Sequence, residues 1–281
     1  MKIRDTRPVR WIARLSARLM EHQVGEQATV IAFNAIYAMF PLVLLLTAIV
    51  GSIVHGAAAR DQLLRTVQDA FPEQLARELS DVINAAGTYS GLIGLVAFLS
   101  LLWAGSNLFT AIEVSFSRIF GVPARGIVQQ RLVGVAMILV FSALLLLSVA
   151  AAHVPLLLAE LYKGPGAARP GWGSGQILGL VGGWILATLL QLIIYLVIPN
   201  VRLPFRALWP GAVLAGTSLQ TTALVFPLYI RHFAGFNRFG DAFSLVFLVM
   251  TWFYFLAYIL LVGAEVNALC FADVVARDHG R

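Results

Sequence analysis

Charge is absent from six long stretches of the chain: 27–59, 82–112, 132–159, 170–201, 207–230 and 242–264. Each exceeds the roughly 20 residues that a helix needs to cross a ~30 Å hydrocarbon core. The pattern predicts an all-α polytopic membrane protein with six transmembrane helices, at about 28–54, 91–113, 132–158, 177–198, 208–230 and 243–267. A soluble protein with buried helices would not leave so many long windows uncharged.

Between and around the spans, the polar positions set orientation. Six spans place both termini on one side. With that side inside, the inner segments carry thirteen Lys and Arg: six in 1–26, three in 113–131, two in 199–207 and two in 271–281, against seven outside. The positive-inside rule therefore predicts cytoplasmic N and C termini. The first span follows a 26-residue head and is too long for a signal-peptide core, so it is expected to be retained.

Within the head (1–26), "RPVRWIARLSARLMEH" puts Arg10, Arg14 and Arg18 at i, i+4, i+8, with Trp11, Ile12, Leu15 and Leu19 as apolar positions. This predicts an amphipathic helix on the inner leaflet, its arginines toward anionic headgroups, or else a disordered basic tail. In the first outer loop, Leu63, Leu64, Val67 and Phe71 share one helical face, and Leu75, Leu79, Val82 and Ile83 another after Pro72. Two short amphipathic helices are expected there, as a cover for the bundle or a lid. The second outer loop, "KGPGAARPGWGSG", reads as an irregular connection. Gly175, Gly179 and Gly183, then Ala212 and Gly216, are spaced for close helix approach, within the bundle or at a dimer seam.

Composition sharpens this picture in two respects. Charged residues are 12% of the chain, which leaves little polar surface outside the lipid, and the single cysteine, Cys270, excludes an intramolecular disulfide and suggests no cysteine-based metal site. The five histidines (His22, His55, His153, His232, His279) are scattered, with no HxH or HxxxH pair. Neither lysine, Lys2 or Lys163, follows a glycine as a P-loop requires. The net charge of +6 follows mostly from the topology rule, so neither nucleic acid nor a metal or other cofactor is expected.

The candidate chemistry lies in polar residues within the spans, each costly in hydrocarbon unless partnered. Asn34, Asn107, Glu113, Glu265 and Asn267 fall toward the predicted cytoplasmic ends, with Gln191 and Gln220 deeper. One reading is a water-accessible cavity open to the cytoplasm. The other is packing, with Glu113 and Glu265 paired to nearby arginines such as Arg118 and the amides bonded between helices. Pro41 removes a donor and weakens the ladder near Tyr37, so span one is expected to bend beside such a cavity.

Three stretches, "AIYAMFPLVLLL" (35–46), "LWAGSNLFTAIEVSFSRIFGV" (102–122) and "FYFLAYILLVGAEVNAL" (253–269), with "IPNVRLPFRALWPGAVLAG" (198–216), resemble the YihY/BrkB family of bacterial inner-membrane proteins across nearly the whole chain. By position, the family pattern highlights Tyr37, Phe40, Pro41, Trp103, Arg118, Gly121, Pro199, Asn200, Pro210, Gly211, Gly263, Glu265 and Asn267. The chain departs from it at Met39, where a serine is usual, and at "FGDAF" (239–243). The resemblance implies an inner-membrane location and a link to envelope lipid handling. The ribonuclease BN label once carried by family members is regarded as mistaken.

The expected function is transport of a lipid or other amphiphile, whose headgroup needs the polar inner end while its tails stay in lipid. Small ions would need a polar path through the outer half, and the sequence offers none. The alternative is a non-catalytic scaffold docking an envelope protein or a second copy of itself. Neither reading is an enzyme.

Overall fold

The computed structural model describes residues 7–53, 90–141, 172–201, 203–233 and 241–279, and every regular element among them is helical. These are α1 (Arg7–Glu21), α2 (Val24–Ile53), α3 (Ser90–Phe120), α4 (Ile127–Phe141), α5 (Trp172–Val197), α6 (Phe205–Phe233) and α7 (Asp241–His279). Helices α2 to α7 fall on the six predicted spans, the third of which lies within the described residues only up to Phe141. By length and composition, three contain stretches able to cross a membrane: Gly94–Phe120, Leu180–Val197 and Val246–Ala272. The two helices expected in the first outer loop lie outside the described residues, as does the second outer loop up to Trp172, where α5 has already begun.

Several helices outrun their apolar windows. At 1.5 Å per residue, the 31 residues of α3 extend about 46 Å, beyond a ~30 Å core. Nothing in its sequence breaks the helix until Gly121, whose φ of 64° closes it with a left-handed cap. Val122 N–H then donates to the Ser117 carbonyl at 3.0 Å and Gly121 N–H to that of Arg118 at 3.4 Å. Helix α2 runs on through Pro41, which is buried.

The packing order is α3–α2–α7–α6–α5, with α1 laid against α7 and α2. Helix α4 sits on α3, Gly134 against Ser106 and Ile138 over Gly105. The small-residue ladder serves this bundle: Gly216 meets the Thr188 backbone and Gly183 lies under Gln220, both across the α5–α6 seam. At one end, which α1 marks, α5 also reaches α3 through Phe116 and Tyr195, ring centroids 5.8 Å apart. The buried core concentrates there, around Phe116, Ile119, Tyr195, Ile198, Leu208 and Leu261.

Helices α1 and α2 are joined by a sharp corner at Gln23, a non-glycine residue in the left-handed region (φ 50°). Gln27 steadies the corner by donating its amide to the His22 carbonyl. The corner folds α1 back across the bundle end.

Candidate functional site

The polar residues of the spans gather at the α1 end, where three arginines organise them. Glu265 of α7 is fully buried, with 0% of its side chain exposed. It accepts a hydrogen bond from Arg18 Nε of α1 at 2.9 Å and another contact from His22 Nδ1. The same guanidinium donates through Nη2 to the Ile119 carbonyl at 2.9 Å, one of the acceptors left open at the end of α3. Arg18 thus joins three helices while compensating a buried charge. Removing one partner of such a pair costs about 3–5 kcal/mol, because the other charge remains in low dielectric.

A second clamp repeats the arrangement. Glu113 of α3, also buried, accepts from the Arg125 backbone N–H at 3.0 Å and lies 3.4 Å from Arg125 Nη1. That guanidinium donates to the Ile198 carbonyl and, through Nη2, to those of Val197 (3.3 Å) and Pro199 (3.2 Å). It therefore caps the C-terminus of α5, where the helix dipole favours a cation. Asn200 Nδ2 donates to the Pro123 carbonyl at 3.2 Å and ties the same two connections together. The third arginine, Arg131 of α4, reaches back to α3 and donates to Asn107 Oδ1 at 2.7 Å and to Ser106 Oγ.

Deeper in the bundle, α6 and α7 cross in direct backbone contact. A Cβ on Gly211 would overlap the Gly263 carbonyl oxygen and the Asn267 side chain; one on Gly263 would overlap the Tyr195 hydroxyl. Tyr195 donates to the Leu260 carbonyl at 2.7 Å, and Asn267 Oδ1 accepts from Gly211 N–H at 2.8 Å. Three buried amides keep one polar atom each without a partner among the described residues: Asn267 Nδ2, Gln191 Oε1 and Gln27 Oε1. No three His, Cys, Asp or Glu side chains come together among the described residues.

Residues 15–279 match the family described as Virulence factor BrkB. The chain belongs to the BrkB family. Among its relatives, the ribonuclease-like protein YfkH of Bacillus subtilis (strain 168) is 23% identical, over 92% of this chain and 94% of its own length. A UPF0761 membrane protein of Chromohalobacter salexigens is 24% identical over 92% of this chain, which spans 63% of that relative. The UPF0761 membrane protein PA0951 of Pseudomonas aeruginosa is 22% identical over 89% of the chain and 60% of its own length. No solved structure matches.

Several residues of the BrkB pattern come together at the α1 end: Gly211, Gly263 and Asn267 at one crossing, Glu265 under α1, Gly121 at the α3 cap, and Pro199 and Asn200 at the Arg125 clamp. Other expected site residues stand apart. Asn34 donates to the Val30 carbonyl of its own helix at 2.9 Å, and Tyr37, 54% exposed, lies against Phe33 on the outward face of α2. Arg118 is exposed, and the partner of Glu113 is Arg125 instead, because the chain doubles back after Gly121 and brings Arg125 level with Glu113. Gln220 packs over Gly183. Arg18 points into the bundle rather than toward headgroups, leaving Arg10 and Arg14 exposed beside Val9, Ile12 and Met20.

Sequence reasoning passed over Arg125, Arg131, His22 and Tyr195. A partial signal existed for the arginines: both lie in the short charged stretch between two apolar windows, yet Arg125 caps the end of α5 and Arg131 reaches side chains inside α3. No pattern in the chain marks which partner each would reach.

Proposed function

We propose that this BrkB-family membrane protein moves a lipid or other amphiphile and is not an enzyme. In this reading it sits in the bacterial inner membrane with both termini in the cytoplasm, and the α1 end faces the cytoplasm. The observation that carries the proposal is the set of buried amide atoms without a partner among the described residues: Asn267 Nδ2, Gln191 Oε1 and Gln27 Oε1. Each unpaired buried group costs about 1–3 kcal/mol. Side chains serving only packing would be better replaced by apolar ones, whereas a headgroup or its water passing this end would satisfy them. For the carboxylates, the second of the two expected readings is the one adopted here. Glu113 and Glu265 are engaged by arginines, so they hold helices in place and leave the amides to meet the polar cargo.

The two clamps favour the second reading, a scaffold, to the extent that polar residues serve only architecture. The ribonuclease-like name of YfkH concerns that protein and is 23% identity away. The deciding experiment is lipid crossing in sealed liposomes holding the purified chain, scored by access of a membrane-impermeant reductant to headgroup-labelled lipids. Transport predicts faster loss of inner-leaflet label than in empty liposomes. Equal rates across several lipid classes, with and without a proton gradient, would leave the scaffold.

A further inference from the structure

Of the arginines at the α1 end, Arg18 and Arg125 are spent on carboxylates and helix ends. Arg131 is not. Among the described residues it donates only to neutral acceptors, Asn107 Oδ1 and Ser106 Oγ, through a single nitrogen, Nη1. Ser106 in turn donates to the Trp103 carbonyl at 2.9 Å, so the group that orients the guanidinium is itself fixed. A guanidinium offers five donors in a rigid fork, and here Nε and Nη2 remain available on an exposed side chain.

Its surroundings are those of a lipid. Asn107, itself half-buried, stands in line with three exposed residues of α3, Val96, Leu99 and Trp103, at successive three- and four-residue steps. Trp103 is 62% exposed one turn from Asn107. From Asn107 to Val96 the stripe runs about 16 Å, close to half of a ~30 Å core. Beside it, Leu132 and Leu139 of α4 are also exposed. A cation with no carboxylate partner among the described residues thus stands at the head of an apolar track about one leaflet long.

We propose that Arg131 and Asn107, with the Trp103–Leu99–Val96 face, bind an anionic phospholipid. The phosphate sits on the free edge of the Arg131 guanidinium, the Asn107 amide adds a donor, and one acyl chain lies along the α3 stripe. Charge complementarity selects the occupant: a zwitterionic lipid would bring a second cation to a site that holds no carboxylate among the described residues. Serving as an entry point for cargo rests on the transport reading above; occupancy of the site does not.

The test uses the full chain, delipidated in neutral detergent and titrated with phosphatidylglycerol or phosphatidylcholine of matched chains, with bound lipid counted by native mass spectrometry. The wild type is expected to prefer phosphatidylglycerol by about tenfold, the value of one charge-assisted contact. Arg131→Ala should abolish that preference, Arg131→Lys should keep part of it, and Arg118→Ala, at an exposed arginine of α3, should keep it all. If Arg131→Ala does not fold, Arg131→Gln gives the same reading. No preference in the wild type, an unchanged preference without Arg131, or equal loss in Arg118→Ala would each overturn the site. Full displacement of the lipid by inorganic phosphate would also overturn it, as a soluble-anion site. Lipid crossing without the preference removes the site and leaves transport; the preference without crossing removes transport and leaves the site.

Discussion

Replacing Arg18 by alanine removes two contacts at once, the Nε bond to Glu265 and the Nη2 bond to the Ile119 carbonyl. The carboxylate left behind is fully buried and, among the described residues, keeps only His22 as a partner. Breaking a buried pair from one side costs about 3–5 kcal/mol. The lost cap on α3 adds a contribution of about 1 kcal/mol. Arg18 is 26% exposed, so water repays part of this, and a net loss of roughly 3 kcal/mol is expected. For a chain of this size that corresponds to a melting shift on the order of 6–12 °C. Glu265→Leu alone should cost less, since Arg18 can turn to solvent from its partly exposed position. The double variant should recover most of the loss, because no charge is then left buried. The assay is a double-mutant cycle on melting in detergent, followed by tryptophan fluorescence, with hydrogen exchange over residues 7–21 as a local reporter. A coupling below about 0.5 kcal/mol would mean that the two sites add independently and would refute the clamp.

Further outcomes follow from the same geometry. Arg125→Lys should behave much like Arg125→Ala, losing about 2–4 kcal/mol of stability, because an ammonium cannot reach Glu113 and three carbonyls together; thermal melting of the two variants side by side checks it. Gly263→Ala should prevent folding or lower the yield of monodisperse protein sharply, since its methyl meets the Tyr195 hydroxyl, while Gly182→Ala, with open space around it, should be neutral on gel filtration. Single-cysteine variants at Ser16 and Asp278, made after Cys270→Ala, should both be labelled by an impermeant thiol reagent only when the cytoplasmic side is accessible. Labelling of either one from outside would overturn the proposed orientation.

The helices were legible in the sequence because their signal is physical and local: hydrocarbon excludes charge, so an uncharged run of about 20 residues marks an apolar helix. The ends were less legible. Helix α3 continues seven residues past Glu113, because charged residues stop a membrane span but do not stop a helix; only Gly121 does that. The partner of Glu113 was misjudged for the same reason. Arg118 is closer in sequence, but on a continuing helix it is exposed, while Arg125 returns on the following turn. Glu265 could be placed near the end of the last span, as a cavity candidate or as an acid paired with an arginine, but its partners Arg18 and His22 lie 247 and 243 residues away, brought over it by the corner at Gln23. Such pairings depend on the order of helices around the bundle, which periodicity does not encode. The glycines at 211 and 263 carried a readable warning, since small residues in spans signal close approach, though not to which neighbour.

The central claim divides the polar groups into those that hold helices and those that meet cargo, and one paired measurement tests it. Melting and lipid-crossing rate per folded molecule would be recorded on the same preparations of Arg18→Ala and Gln191→Leu. Arg18→Ala is predicted to lose stability while each folded molecule still moves lipid. Gln191→Leu, which removes a buried carbonyl with no partner among the described residues, is predicted to hold or gain stability while crossing slows. The reverse pattern, with crossing untouched by Gln191→Leu and lost in folded Arg18→Ala, would contradict the assignment of roles.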